Sequence, residues 1–223
     1  MEAQDRDAAI DAIISRINEA NRDAALEILM SKAADLGFPA VARDYLDPAI
    51  DRIGRGWERG EGVTLAQSYV AAKVAEDFLN EVAQRSGEPA MPMGTAVIGN
   101  AEDDYHALGR RMLGVFLSAA GWRVVDLGND VLARDFVDRA LSEGASVIGV
   151  SAMMRSTALN IRRVRDEIDG RGAGLRLAVG GAVFNARPDM VAEVGGDGTS
   201  RNAIEAVELF SRLAVGRDAG ARP

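Results

Sequence analysis

Cysteine is absent from this 223-residue chain, and histidine occurs once. The first absence excludes disulfides, thiolate metal sites, cysteine nucleophiles and thioether attachment of a tetrapyrrole. The second excludes any site that needs several imidazoles from one chain, such as zinc held by three histidines. Positive charge is in the minority: 26 Lys and Arg against 34 Asp and Glu leave a net charge of −8 and a pI of about 4.8. No broad basic surface is offered, so neither nucleic acid nor an anionic membrane is expected as a partner. The first residues, MEAQDRDAAI, are acidic and read as neither a signal peptide nor a transmembrane run, and a soluble, cytoplasmic chain is the expectation. A hydrophobic content of 48% suffices for two small cores or one large domain.

The first third of the chain holds no plausible strand. Ile10, Ile13, Ile14 and Ile17 mark one amphipathic helix, and Leu26, Leu29, Met30 and Ala33 a second, stopped by Gly37. Pro39 suits the first turn of a third, whose apolar stripe runs Val41, Tyr45, Leu46, Ile50, Ile53 and Trp57. After Gly60-Glu61-Gly62 a fourth helix can start near Thr64, with Ala66, Val70, Val74, Phe78 and Val82 four apart. Four helices with short connections predict a bundle over residues 1–86. Residues 87–94, within SGEPAMPMG, read as a linker, and residues 216–223 as a flexible tail.

Between them, residues 95–215 alternate strands and helices. Strands are predicted at Thr95–Ile98, Arg123–Leu127, Val147–Ser151 and Arg176–Val179, with a short fifth near Val194–Asp197. Helices are predicted at Leu108–Ala120, Ala133–Ser142, Thr157–Asp169, Arg187–Glu193 and Arg201–Leu213. This is an α/β pattern: a flavodoxin-like, doubly wound parallel sheet of order 2-1-3-4-5, whose switch point lies between strands one and three.

The stretch TAVIGNAEDDYHALG, Thr95–Gly109, sits at that point. His106 follows the first strand and opens a helix, where ligands bind in open α/β sheets. Asp104 is close enough to accept a hydrogen bond from one imidazole nitrogen, the usual support of a metal-ligating histidine. Ser151 ends the third strand and flanks the same crevice. Gly180-Gly181 ends the fourth, where missing side chains let a flat group approach backbone.

Asp104-x-His106-x-x-Gly109, then Ser151-Ala152-Met153, then Gly180-Gly181 resemble the D-x-H-x-x-G, S-x-L and G-G pattern of cobalamin-binding domains. Such domains occur in methionine synthase, corrinoid methyl carriers, cobalamin-dependent mutases and cobalamin photoreceptors; Met153 stands where leucine is usual. The resemblance implies cobalamin with its nucleotide tail pulled off cobalt and buried in the crevice. His106 would then be the lower cobalt ligand, the metal ligand of this chain, with Asp104 as its hydrogen-bond partner. Gly109, Ser151, Met153, Thr157, Gly180 and Gly181 would line the cofactor, and the helical bundle would cap its upper face through Trp57. No residue is assigned a catalytic role, and a stand-alone catalyst is not expected.

Two functions stay open on this resemblance. HALGRRMLGVFLSAAGWRV, His106–Val124, and IGRGWERGE, Ile53–Glu61, are similar to light-sensing cobalamin proteins, including photocobilins. That reading implies a light-responsive regulatory module using adenosylcobalamin, with a non-covalent bilin left open, and an output or signalling partner. The sensors' Glu-His pair is replaced by Gln67-Ser68. SAMMRST, Ser151–Thr157, and the runs VGGAVFN and GGDGTSRNAIEAVEL within Val179–Leu209 are instead similar to free-standing methyl carriers. That alternative implies methylcobalamin and methyltransferase partners. The sequence is read first as the light-responsive module, with self-association into a homo-oligomer left open.

Overall fold

The computed structural model describes residues 2–59, 61–85 and 92–215. The chain divides into two compact units between Ser86 and Gly87.

In the first unit, α1 spans Glu2–Asn18 and α2 Arg22–Leu36. Asn21 caps α2 by accepting from the Ala24 N–H, and Gly37, at φ +80°, ends it. The third predicted helix is three contiguous pieces: α3, Phe38–Val41, a π-helical turn, Ala42–Leu46, and α4, Asp47–Glu58. The wide turn falls just before Pro48, which has no N–H for the Asp44 carbonyl; the Asp47 N–H reaches back to Ala42 instead. Helix α5, Leu65–Arg85, starts with a capping box. The Gln67 N–H donates to Thr64 Oγ1 at 3.3 Å, and the Thr64 N–H to Gln67 Oε1 at 2.8 Å. Gln67, at the place of the sensors' glutamate, therefore serves the helix start. Ile10, Ile13, Ile17, Leu29, Ala33, Val41, Leu46, Ile53, Val74, Phe78 and Val82 are buried, whereas Ala66 is exposed. The apolar stripe of α5 thus begins to matter one turn later than its spacing predicts.

The second unit is a five-stranded, all-parallel sheet: β1 Thr95–Asn100, β2 Arg123–Asp126, β3 Val147–Ser151, β4 Arg176–Gly180 and β5 Gly198–Thr199, in the order β2-β1-β3-β4-β5. Helices α6 Ala107–Ala119, α7 Ala133–Ser142, α8 Arg155–Gly170, α9 Ala182–Ala186, α10 Met190–Glu193 and α11 Ala203–Val215 follow the strands. Period-two patterning divides the sheet. Val97, Ile148, Val150, Leu177 and Val179 pack against Phe136 and Val137 of α7 and Ile161 and Val164 of α8. Ala96, Ile98, Val147 and Ala178 pack with Leu117 of α6 and Leu209 and Phe210 of α11. With helices on both faces, every strand interior must be apolar, hence the short β-branched runs.

Two predicted elements differ. Arg187–Glu193 is helical only over Met190–Glu193: Pro188 keeps Arg187 out of the helical region (φ −136°, ψ 74°), which separates α9 from α10. The fifth strand is Gly198–Thr199, because Val194–Asp197 forms a turn through Gly195 at φ +74°. The Asp197 carboxylate is used there to accept the Leu177 N–H at 2.7 Å. Of the predicted linker, Met93 and Gly94 join the sheet unit: the Met93 N–H donates to the Gly121 carbonyl and the Arg123 N–H to that of Gly94. Residues 87–91 and the predicted tail, 216–223, lie outside the described residues.

Candidate functional site

Strands β1, β3 and β4 end in one row, Asn100 beside Ser151 and Ser151 beside Gly180. This is the carboxyl edge at the switch point. His106 stands on it as the residue before α6, with its side chain half exposed.

Asp104 organises this edge. Its side chain is fully buried, and its two oxygens are shared among three segments of chain. Oδ1 accepts from the His106 backbone N–H at 2.9 Å, from the amide of Asn100 at 3.2 Å, and faces His106 Nδ1 at 3.1 Å. Oδ2 accepts from the Met153 N–H and from the Thr157 hydroxyl, each at 2.7 Å. Burial pushes the Asp104 carboxyl up, but the donors from Met153, His106 and Thr157 outweigh it, and its pKa lies below the ordinary carboxylate range. An ionised carboxylate can only accept, so Nδ1 carries the proton of a neutral imidazole and Nε2 keeps its lone pair.

The other predicted residues take distinct places. Thr157 is buried and acts through Asp104. Met153 contributes its backbone N–H, while its side chain is exposed, as are those of Met154 and Tyr105. Gly109 faces Ser151: a Cβ added there would lie 4.0 Å from the Ser151 hydroxyl oxygen. Gly180 opens on free space. Gly181 does not. At φ +107°, a Cβ on it would stand 2.1 Å from the Ala152 carbonyl oxygen, so this glycine is required by the close approach of two backbones. Trp57 belongs to α4 in the first unit, and its side chain lies outside what the structure describes. Trp122, from the sensor-like GWRV segment, is buried core, edge-on to Phe210 with ring centroids 6.0 Å apart.

Sequence reasoning missed a second layer. Arg110 is buried and donates to Asn100 at 3.0 Å, to Asp126 and to Asn129 at 3.3 Å. Its position four residues after His106, on the same helical face, is the signal that could have found it. Beside it, Asp130 (φ +54°) accepts from the Tyr105 hydroxyl at 2.6 Å and from the Asp103 N–H at 2.8 Å, Asp103 itself being at φ +67°. Two non-glycine residues in the left-handed region are held in place by each other's loop.

Among the described residues, no group of three or more His, Asp or Glu side chains could hold a metal ion, and no helix is long and apolar enough to cross a membrane. The donor set at the edge is one imidazole. A lone imidazole suits a metal whose other ligands belong to a cofactor.

Known proteins are similar to this chain in sequence and in fold. Residues 94–208 match the family described as the B12 binding domain. A corrinoid protein of Desulfitobacterium hafniense is 30% identical over 212 residues, covering 92% of this chain and 96% of that protein. Dimethylamine corrinoid protein 1 of Methanosarcina mazei is 30% identical over 214 residues, 93% and 94% of the two chains. In fold, the chain is similar to the monomethylamine corrinoid protein of Methanosarcina barkeri, with a TM-score of 0.78 at 24% identity over 94% of this chain and 99% of that one. It is also similar to a chain of the methanol:cobalamin methyltransferase complex of the same organism, with a TM-score of 0.53 at 23% identity over 97% and 86%. The family match spans the whole crevice and the curated relatives span both units, so the chain belongs to the B12-binding domain family as a corrinoid protein.

Proposed function

We propose that this chain is a corrinoid methyl carrier: it binds cobalamin at the carboxyl edge of its sheet and presents it in turn to separate methyltransferases. The observation that carries this reading is the likeness, along both units, to corrinoid proteins, one of them named for dimethylamine. It favours the carrier over the light-responsive module, and methylcobalamin over adenosylcobalamin with a bilin. A methylated amine is the methyl donor this likeness supports.

The residues present suit the cofactor. Nε2 of the half-exposed His106 is the donor that would meet cobalt, and the Nδ1–H···Asp104 bond makes it more basic. Exposed Tyr105, which precedes His106, and exposed Met153, tied to the same carboxylate, offer apolar surface to a flat macrocycle. The open space at Gly180 leaves room for a tail, and the missing side chain of Gly109 keeps the approach to Ser151 clear. Thr199, paired with Val179 in the next strand, has a buried hydroxyl oxygen without a hydrogen-bond partner, available to a ligand's polar group. Bound cobalamin supplies a cobalt centre that accepts and releases a methyl group. The chain's own part is to hold the imidazole in one orientation and to bury the tail.

The test is reconstitution with methylcobalamin and adenosylcobalamin, followed by absorption spectra in the dark and after illumination. The carrier reading expects His106→Ala to change the bound cofactor's spectrum and weaken its binding about tenfold or more, with Asp104→Asn doing so less. It also expects transfer of the methyl group from the loaded chain to an acceptor in the presence of a methyltransferase. A light-driven change in the protein without any methyl transfer would return the reading to the sensor.

A further inference from the structure

The buried side chains behind Asp104 form a chain with one polarity. A guanidinium only donates hydrogen bonds and a carboxylate only accepts them; a carboxamide placed between them has one of each. Asn100 stands in that place, with Arg110 Nε donating to its Oδ1 at 3.0 Å and its Nδ2 donating to Asp104 Oδ1 at 3.2 Å. Reversing this amide would set donor against donor and acceptor against acceptor, so its orientation is fixed. The oxygen that Asn100 holds is the one that faces His106 Nδ1. The other oxygen is held by Met153 and Thr157, so the carboxylate has no freedom to rotate. Arg110 is anchored in turn by Asp126 and Asn129.

The chain closes on itself. His106 stands immediately before α6 and Arg110 lies in the first turn of that helix. The path from His106 through Asp104 and Asn100 to Arg110 therefore returns to His106 through rigid backbone. Asn100 and Asp104 are fully buried and Arg110 nearly so, which excludes water as a substitute partner and makes each missing bond costly.

We propose that Asn100 and Arg110 are positioning residues for His106: the relay Arg110–Asn100–Asp104–His106 sets how strongly Asp104 Oδ1, which the Asn100 amide and the imidazole share, holds the Nδ1 proton, and so how basic the free Nε2 is. This deepens the cobalamin reading by naming what tunes the nitrogen that would meet cobalt. Its test needs no cobalamin.

The experiment uses the cofactor-free full chain in alkaline buffer, with nitrogen–proton correlation NMR of the imidazole ring. A single histidine gives a single set of ring signals. The wild-type ring is expected as the Nδ1–H tautomer. Asn100→Val, which places a β-branched residue in β1, removes a competing donor from Asp104 Oδ1, so the Nδ1–H proton signal should move downfield as the remaining Nδ1–H···Oδ1 bond strengthens. Arg110→Met should act in the same direction. If Arg110→Met does not fold, Arg110→Lys carries the test: one ammonium cannot serve Asn100, Asp126 and Asn129 together, so an intermediate Nδ1–H shift is expected. A wild-type Nδ1–H shift in the Asn100 variant overturns the proposal, and so does a wild-type shift in the folded Arg110 variant. Failure of the cobalamin reading would show separately, as no spectral change when cobalamin is added.

Discussion

Nδ1 of His106 and Oδ1 of Asp104 lie 3.1 Å apart, yet the imidazole is 49% exposed and the carboxylate entirely buried. The pair straddles the surface, with its charged, fixed member inside and its adaptable member outside. Such a pair presents one nitrogen to a large ligand that arrives from solvent, while the interior holds the other. Several consequences can be measured.

Removing the Thr157 hydroxyl leaves one lone pair of a buried carboxylate unanswered. Thr157→Val is close in shape and should cost the sheet unit about 1.5–3 kcal/mol, the range for hydrogen bonds to charged groups. Thr157→Ser keeps the donor and should stay within about 1 kcal/mol of wild type. Urea unfolding of the two variants measures this, and equal stability for both would remove Thr157 from the Asp104 network.

The two adjacent glycines should respond in opposite ways. Gly181→Ala adds a Cβ at φ +107° against the Ala152 carbonyl, so the backbone conformation alone should cost about 1–3 kcal/mol and the collision more. Gly180→Leu meets open space and should fold, but it fills the region proposed for the nucleotide tail. Overpacking of about 1–3 kcal/mol corresponds to a roughly ten- to hundredfold loss of cobalamin affinity. A truncated corrinoid without the nucleotide should bind nearly as before. Equal losses for both ligands would place the tail elsewhere.

The Tyr105–Asp130 contact should respond to acid. The Tyr105 hydroxyl, helped by the Asp103 N–H, holds the Asp130 carboxyl below its ordinary value of 3.8. A depressed folded-state pKa means that the stabilisation is present above that ordinary value and is lost as pH falls through the lower one. The Asp103 amide signal, followed by NMR, should therefore shift only on the acid side of the usual carboxylate range. Asp130→Asn should abolish the transition and speed exchange of the Asp103 amide. A transition that persists in this variant would assign it to another carboxylate.

In the helical unit, Thr64→Ala removes one half of the capping box and should destabilise α5 by about 0.5–2 kcal/mol. Gln67→Ala removes the other half and should cost less, because the Thr64 hydroxyl still meets the Gln67 N–H. Thermal unfolding followed by circular dichroism measures both. A larger loss for Gln67→Ala than for Thr64→Ala would mean that the glutamine serves something besides the helix start.

Local chemistry made much of this protein readable in one dimension. β-Branched runs ending in glycine or asparagine announced the strands, because a sheet covered on both faces needs apolar residues throughout. Gly37 and Thr64 marked a helix end and a helix start, since each acts within four residues of itself. The D-x-H-x-x-G spacing placed Asp104 beside His106, because a two-residue step in a loop leaves the carboxylate little choice. Tertiary structure decided what depended on distant neighbours. Gly180 and Gly181 are indistinguishable in sequence, but only Gly181 lies against Ala152, and only Gly180 faces open space. Arg110 reads as an ordinary surface charge until Asn100, Asp126 and Asn129, 10 to 19 residues away, surround it. Thr157 meets Asp104 across 53 residues. Periodicity reports which face of an element is buried, but not which polar group waits on the neighbouring element. The oxygen that turns His106 is set by Asn100 of β1, Met153 after β3 and Thr157 of α8 together, and no single stretch of the chain contains that information.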